Sequence, residues 1–408
     1  MGARMMKRCF FGVLLAVVGG IVPVRAQGQS AGAKMEPLVV GQVALGLDLL
    51  KSLRDEVAAS PAVTLSPVSV HEAMWLVRLG ADGPTAKELD SVLVPSGSAV
   101  ALSERYSQLN DEIFQTQETA SAELGNSLWV SRSIQIRDEY RRSVREGMRA
   151  HVQSVDFASP AVMGEINSFV SGVTHGVIPK LLSQPPAPST LATLVNALYV
   201  KGRWVAPFEK ESTQPQDFWV SKDRVQRRQM MHASEMVPYL EVPGWQVATL
   251  NFGMGQFSFS VFLPTKKIDG AEILSRLSPT LIAKHFKDSR HARLEISLPR
   301  MKVSSRPPLK PRLEARAPAA FSPRANFSRL SESPLLISDV IHESVVTIDE
   351  DGVEAAAASA VIMVGSAAPG KAKPRIIPFV VDHPFAFVIS HRDSGAPLFM
   401  GIVSDPGV

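Results

Sequence analysis

The sequence predicts an α+β fold built as one large domain. Apolar residues with helical spacing dominate the first third of the chain, and short apolar runs typical of strands dominate the rest. That order is typical of α+β proteins and differs from the regular alternation of βαβ units. A length of 408 residues allows two or three domains. No long linker separates two self-contained patterns, however, so we expect a single domain.

Three segments are predicted to be helices. Residues 43–53 carry apolar side chains at helical spacing. Ser66 precedes Pro67 and suits the capping position of a second helix, which we expect to end at Gly80. Residues 140–148 have the pattern of a third helix. The predicted helices thus fall in the first part of the chain.

Strand patterns follow. Residues 191–200 are apolar almost throughout, as expected for a strand that is buried on both faces. Residues 247–252 and 257–263 are also rich in apolar and β-favouring side chains. Residues 294–298 alternate between apolar and polar, and part of 345–348 does so too. These runs predict several strands of one or more sheets.

The most informative segment is DEDGVEAAAASAVIMV at residues 349–364, with Gly352 as a flexible joint. Alanine favours helices, but the segment has no polar stripe for the outer face of a helix. Read as a strand, it has one small or apolar face that carries no charge: Val353, Ala355, Ala357, Ser359, Val361 and Met363. Such a face can enter an existing sheet without burying a charge. A loop-like composition follows at 365–374.

Several motifs together resemble those of the serpin family over about residues 41–406. Residues 350–359 resemble the hinge of the reactive-centre loop in inhibitory members. Residues 382–389 and 398–406 resemble the C-terminal strand pair of the family, and 196–204 is similar to another of its signatures. Each motif alone is weak, but their order and spacing are highly specific.

The resemblance implies a serpin domain at residues 41–408, with about three β-sheets and eight or nine helices. It also implies an exposed reactive-centre loop at about 350–374. The hinge of that loop would comprise Glu350, Gly352, Val353, Glu354, Ala355, Ala356, Ala357 and Ala358.

The same resemblance implies two clusters, one beneath the middle of the main sheet and one at its top end. The first, which we call the shutter cluster, consists of Ser66, Ser69, Asn196 and His342. The second, the breach, consists of Trp204 and Arg300, and Arg300 is expected to meet Glu350 of the hinge there. Hydrogen bonds of about 1 kcal/mol each suit a sheet that must open and close again. The residues themselves also allow unrelated polar groups, two exposed charges and an ordinary core tryptophan.

The reactive bond is implied by the family spacing of about 16 residues beyond Glu350. That count reaches the bond between Ser366 and Ala367, with neighbouring alternatives at Gly365, Val364 and Met363. Small and apolar residues here favour an elastase- or subtilisin-like serine protease as the target. Lys371 and Lys373 would suit a trypsin-like protease, but they lie further from the hinge than the family allows.

The function implied is that of a suicide inhibitor of serine proteases, without enzymatic activity of its own. The protease would form its normal acyl-enzyme, and the cleaved loop would then insert into the main sheet. Val353 stands where the family usually has Thr or Ser, and its β preference should still permit insertion. The alternatives are a non-inhibitory binding or chaperone-like serpin and an inhibitor of cysteine proteases. We expect a monomer.

The N-terminus has the pattern of a signal peptide at residues 1–26. Basic residues precede an apolar run at 10–24, which is shorter than a membrane-spanning helix requires. Residues 27–40 are predicted to be a flexible segment. The pattern predicts a secreted or periplasmic protein with no membrane contact. Cys9, the only cysteine, would leave with the peptide.

Composition and the remaining motifs argue against several classes of function. A net charge of +4 does not imply a nucleic-acid partner. The sequence has no nucleophile elbow, zinc-protease motif or phosphate loop, and its histidines are scattered, so we expect no cofactor or metal. The basic segment 302–329 could bind a polyanion, although a solvated basic loop is the simpler interpretation.

Overall fold

The computed structural model describes residues 36–93, 99–114, 119–148, 150–353 and 375–407. Helices are concentrated in the first half of this part of the chain. They are α1 (Pro37–Ser52), α2 (Arg54–Ala59), α3 (Pro67–Gly80), α4 (Gly83–Leu93), α5 (Ala99–Ile113), α6 (Asp138–Met148), α7 (Ala161–Val173), α8 (Gly270–Arg276), α9 (Pro279–Asp288), α10 (Leu309–Glu314) and α11 (Pro318–Phe321).

The described residues thus contain eleven α-helices, more than the eight or nine predicted. Three of them, α2, α10 and α11, have only four to six residues, which is too short to show a helical period in sequence. α3 begins and ends as predicted, and the Ser66 hydroxyl caps it by accepting a hydrogen bond from the Ser69 backbone N–H at 3.2 Å.

The ordered fold begins before the predicted domain boundary at residue 41. α1 starts at Pro37, where proline suits the first turn of a helix. Leu38 and Val39 are already buried. The end of the segment 27–40, predicted to be flexible, is therefore part of the fold, while residues 1–35 lie outside the described part.

Fifteen strands are described, most of them after residue 190. They are β1 (Ala62–Leu65), β2 (Ala120–Ser131), β3 (His151–Val155), β4 (Ala192–Arg203), β5 (Gln214–Ser221), β6 (Arg224–Val242), β7 (Trp245–Phe252), β8 (Phe257–Pro264), β9 (Arg290–Pro299), β10 (Met301–Ser305), β11 (Asp339–Ile348), β12 (Gly352–Val353), β13 (Ile376–Val380), β14 (Phe385–His391) and β15 (Pro397–Val403).

The strands of the described residues form two sheets, not the three predicted. A six-stranded sheet has the order β10-β11-β12-β4-β2-β3, and a nine-stranded sheet has the order β1-β15-β14-β8-β7-β6-β9-β13, with β5 also paired to β6. β6 is the reason for the difference. Its 19 residues pair with β5 and β9 along one part and with β7 along the other, so one long strand joins two groups of strands.

The six-stranded sheet is covered on both faces, which explains why β4 is apolar almost throughout. One face packs on the main core, to which Leu194 and Leu198 of β4 belong. The other face packs beneath α7, where Val195 and Ala197 join a second apolar cluster. A strand that enters beside residues 192–200 of β4, which are all buried, must therefore be apolar or small on both faces.

Candidate functional site

The candidate site lies where β4 and β11 part. These two strands pair directly and in parallel as far as Ala197 and Glu343. Beyond that point β12 lies between them and is antiparallel to both. Val353 of β12 is opposite Ile348 of β11 and Gly202 of β4. The first residues of the segment predicted to insert are therefore already a strand of the sheet.

Only glycine fits at position 352 in this arrangement. Gly352 has a φ of 158° and pairs with Arg203 of β4. A Cβ atom there would lie 2.1 Å from the carbonyl oxygen of Gly202 and 2.9 Å from the Cα of Arg203. The missing side chain is thus what lets the hinge approach the backbone of β4 closely.

Trp204, which follows β4, holds the residues that lead into β12. Its indole Nε1 donates to the carbonyl oxygen of Asp349 at 2.8 Å, and its backbone N–H donates to that of Asp351 at 3.0 Å. The ring is 4% exposed and packs edge-on against Phe208 and Phe252. Trp204 is therefore both a core residue and a hydrogen-bonding partner of the hinge.

Glu350 and Arg300 meet at the same end of the sheet. The Arg300 Nε donates to both carboxylate oxygens of Glu350, at 2.7 and 2.9 Å, and the Thr213 hydroxyl donates to one of them. The Glu350 side chain is 3% exposed and that of Arg300 is 35% exposed. Burial disfavours the charged carboxylate, but the donors Arg300 and Thr213 outweigh it and lower the pKa of Glu350.

The four residues of the shutter cluster lie together beneath the direct pairing of β4 and β11. Asn196 of β4 is in register with His342 of β11, and its Oδ1 accepts from the His342 Nδ1 at 2.7 Å. The same Oδ1 accepts from the Ser69 hydroxyl at 2.5 Å. The Ser66 backbone N–H donates to the His342 Nε2 at 3.1 Å. These bonds connect both strands to the start of α3.

The hydrogen bonds fix the proton on His342. Its Nε2 accepts from a backbone N–H, so the ring carries its proton on Nδ1 and donates that proton to Asn196. A second proton on Nε2 would face the Ser66 N–H and break the bond. Burial lowers the pKa of His342 to about 4, so the ring is neutral at pH 7.

Sequence reasoning missed the residues that extend the shutter cluster away from β11. Asn126 of β2 is in register with Asn196 and accepts from its Nδ2. Asn126 in turn donates to Glu72 of α3 at 2.9 Å, and Asn110 of α5 donates to the other carboxylate oxygen at 2.5 Å. Glu72 sits in an apolar helix and is 1% exposed. The sequence signal that could have identified Glu72 is a carboxylate within the apolar run of α3.

Other predicted site residues lie outside the described part of the chain. They are the remainder of the hinge and the reactive bond with its alternatives: Glu354, Ala355, Ala356, Ala357, Ala358, Met363, Val364, Gly365, Ser366 and Ala367. Their roles stay predictions.

Comparison with known proteins accounts for this geometry. A family model described as Serpin (serine protease inhibitor) matches residues 41–406. The chain belongs to the serpin family. Leukocyte elastase inhibitor of Bos taurus is 31% identical to this serpin and Serpin B6 of Macaca fascicularis is also 31% identical, and each alignment covers 91% of this chain and 100% of the relative.

Solved structures confirm the serpin fold. The thermophilic serpin Tengpin in its native state superposes with a TM-score of 0.80 at 22% identity, over 92% of this chain and 96% of that one. Human thyroxine-binding globulin complexed with thyroxine superposes with a TM-score of 0.79 at 23% identity, over 90% of this chain and 99% of that one. At this identity the likeness concerns the fold alone.

The predicted secreted or periplasmic location of this serpin is wrong. The relatives named Serpin B6 and leukocyte elastase inhibitor are intracellular serpins. The prediction depended on an apolar run at residues 10–24, which is outside the described residues. An apolar run after basic residues is a pattern of composition, and it was not sufficient to assign a compartment.

The basic segment 302–329 is partly engaged in contacts within this serpin, three of them ion pairs. Four of its seven basic side chains bond to other segments: Arg306 to the Leu181 carbonyl, Arg312 to Glu56, Arg316 to Asp48 and Arg329 to Asp82. This favours the interpretation as an ordinary basic surface over that of a polyanion site.

The described residues also bear on two other kinds of function. They contain no group of three or more His, Cys, Asp or Glu side chains placed to hold a metal ion. Among the same residues, no helix is long and apolar enough to cross a membrane.

Proposed function

We propose that this serpin inhibits a serine protease by inserting its cleaved reactive-centre loop between β4 and β11. The observation that carries the proposal is the position of Gly352 and Val353, which already form a strand between the two. Inhibition by loop insertion requires such an entrance, because the loop must begin to pair before the acyl-enzyme is hydrolysed.

The length of the sheet suits the predicted inserting face. Continuing the register of Val353 opposite Gly202 would bring Met363 opposite Ala192, the first residue of β4. Residues 353–363 would then span the whole of β4, roughly 35 Å. The inward positions would face apolar residues of the main core, among them Leu194 and Leu198.

The same register would bring Ser359 to the shutter cluster. It would lie opposite both Asn196 and His342, because these two residues are in register with each other. Insertion breaks the direct bond between them, and a serine hydroxyl can donate and accept in its place. Ser359, the only polar residue on the inward face, would thus lie beside the polar side chains of Asn196 and His342.

The chemistry is ordinary acyl transfer that is stopped halfway. The protease serine attacks the carbonyl carbon of Ser366, the bond to Ala367 breaks, and the new amine of Ala367 takes a proton. Water would then release Ser366 from the enzyme. Inhibition results when insertion, which drags the protease with it, is faster than that hydrolysis.

The residues around the proposed bond support an elastase-like target. Val364, Gly365, Ser366 and Ala367 are small or apolar, as a shallow apolar specificity pocket requires. Relatives of this serpin that cover 91% of the chain are named leukocyte elastase inhibitors. We therefore propose an elastase- or subtilisin-like serine protease as the partner.

The test compares one new side chain on the two faces of the inserting strand. Ala355→Arg would place a guanidinium on the inward face, whereas Glu354→Arg, its matched control, would place it on the outer face beside Lys201. We expect wild type and Glu354→Arg to form a covalent complex with elastase on a denaturing gel. Ala355→Arg should be cleaved without forming a complex, because it would bury an unpaired charge.

Two results would count against the proposal. Equal trapping by Ala355→Arg and wild type would mean that the inward face never enters the sheet. Cleavage of wild type without any complex, by serine and cysteine proteases alike, would favour a non-inhibitory binding protein.

A further inference from the structure

Glu72 occupies an unusual position for a carboxylate. It lies on α3 beneath the six-stranded sheet and is 1% exposed. Its Oε1 accepts from the Asn110 Nδ2 at 2.5 Å, and its Oε2 accepts from the Asn126 Nδ2 at 2.9 Å. None of the described lysine or arginine side chains forms an ion pair with it. The two amides are its only hydrogen-bond donors among the described residues.

The amide of Asn126 can satisfy its partners in one orientation only. Asn196 donates through Nδ2 to the Asn126 Oδ1 and also to the Ser69 carbonyl oxygen. The Asn126 Oδ1 must therefore face Asn196, and its Nδ2 must find an acceptor on the other side. Glu72 is that acceptor. A series of bonds thus runs from Glu72 through Asn126 and Asn196 to His342, across β2, β4 and β11.

We propose that Glu72 is a positioning residue for strand insertion, because its carboxyl fixes the Asn126 amide and so holds the contact between Asn196 and His342. This inference rests on the proposed function, since that contact is the one that an inserting strand must break. It also makes insertion depend on the protonation of one buried carboxyl.

The surroundings of Glu72 place its titration near physiological pH. Burial raises the pKa of Glu72 to about 8, and the hydrogen bonds from Asn110 and Asn126 offset this only in part. The titratable groups around it are Tyr106 of α5, His71 beside it on α3, and His342 of β11 at the far end of the series. Burial lowers the pKa of each histidine to about 4, so both are neutral at pH 7.

The side-chain amide of Asn110 can accommodate a proton on Glu72. The Oδ1 of Asn110 is buried and has no hydrogen-bond partner among the described residues. When Glu72 is protonated, Asn110 can turn over, so that its Oδ1 accepts the new O–H. The Asn126 amide cannot turn, because Asn196 holds it. Protonation therefore leaves the bond to Asn126 in place, and deprotonation leaves a buried charge.

The buried charge sets the direction of the pH effect. An ionised Glu72 is unfavourable while the sheet is closed, and water that enters as β4 and β11 part would relieve it. Raising the pH through about 8 should therefore speed insertion, by about tenfold for each unit by which opening lowers the pKa of Glu72.

The experiment measures the ratio of trapped to cleaved serpin with one elastase-like protease from pH 6.5 to 9. Wild type is compared with Glu72→Gln, which keeps an acceptor for Asn126 and a donor for Asn110 but cannot ionise. Dividing the wild-type ratio by that of Glu72→Gln at each pH cancels the pH dependence of the protease itself. Glu123→Gln, on β2, makes the same change at a half-exposed carboxylate.

The expected result is a quotient that rises with a midpoint near pH 8, by about tenfold if opening lowers the pKa of Glu72 by one unit. Glu123→Gln should follow wild type between pH 7.5 and 9. A quotient that stays flat, in a serpin that traps protease, would overturn the dependence of insertion on the protonation of Glu72 and leave the proposed function intact. A wild-type protein that traps no protease at any pH would overturn the proposed function and this inference with it.

Discussion

The breach and the shutter cluster hold the same two strands by different chemistry. At the breach, Glu350 forms an ion pair with Arg300 at the open end of the sheet. At the shutter cluster, Asn196 and His342 form neutral hydrogen bonds that are fully buried. The breach has already admitted the hinge, while the shutter cluster lies under strands that still pair directly.

The difference indicates how the sheet can be both stable and able to open. At the breach the Arg300 side chain is 35% exposed, so water reaches one side of the ion pair and weakens it relative to a fully buried contact. Neutral groups in the interior keep their bonds until the strands part, because an unpaired polar group there is costly. We therefore expect the entrance to be permissive and the middle of the sheet to control insertion.

The largest effect is expected for Asn196→Ala. This change leaves polar groups of Ser69, Asn126 and His342 without a partner in the interior, and each such loss costs about 1–3 kcal/mol. We expect the free energy of unfolding to fall by roughly 3–5 kcal/mol in total, as measured by urea denaturation.

The matched change at the breach is Thr213→Val, which removes one hydrogen bond to Glu350 and keeps the shape of the side chain. Arg300 still pairs with the carboxylate, so the loss should be only about 2 kcal/mol, as for a single hydrogen bond to a charged group. Equal losses for the two variants would contradict the comparison of the two regions.

A smaller effect is expected from pH, because the stability contributed by the shutter cluster should fall at acidic pH while that of the breach should not. His342 has a pKa of about 4 in the folded protein against an ordinary 6.5, so its stabilising effect is lost as the pH falls from 6.5 towards 4. At pH 5 this amounts to about 2 kcal/mol. Comparing His342→Gln with wild type in urea isolates that contribution, and parallel pH profiles for the two proteins would refute it.

The contribution of the breach to the free energy of unfolding should not change over the same pH range. The pKa of Glu350 is below its usual 4.5, so the stability it contributes is fully present above pH 4.5 and is lost only at lower pH. Thr213→Val should accordingly differ from wild type by the same amount at pH 7 and at pH 5.

The smallest effect concerns the second ion pair at the breach, between Lys210 and Asp351 at 2.8 Å. Their side chains are 55% and 31% exposed, and exposed pairs contribute little. Lys210→Gln should shift the melting temperature by less than about 1 °C. A shift of several degrees would show that the entrance is more firmly held than we infer.

Much of the site could be predicted from sequence because its residues lie in recognisable motifs. Ser66 and Ser69 flank the start of a capped helix, and Asn196 lies in a strand signature. The fold class followed from the order of helical and strand patterns. These signals are local, so a single sequence contains them.

Other features depend on contacts that no local pattern shows. Glutamate is usually a surface residue, and only the contacts of Glu72 with α5 and β2 show that it is buried. The fusion of two strand groups into one sheet depends on the pairing of β6 along its full length. The ion pairs of the basic segment 302–329 with α1 and α2 are likewise not visible in the sequence.

The most direct test of loop insertion is the stability of the cleaved protein. The serpin would be nicked in residues 354–374 with a protease that it does not trap, and its melting temperature compared with that of the intact form. Completion of the sheet by a new strand predicts a rise of at least about 10 °C, the shift that roughly 8 kcal/mol gives in a domain of this size. A nicked form that melts at or below the temperature of the intact protein would contradict the account.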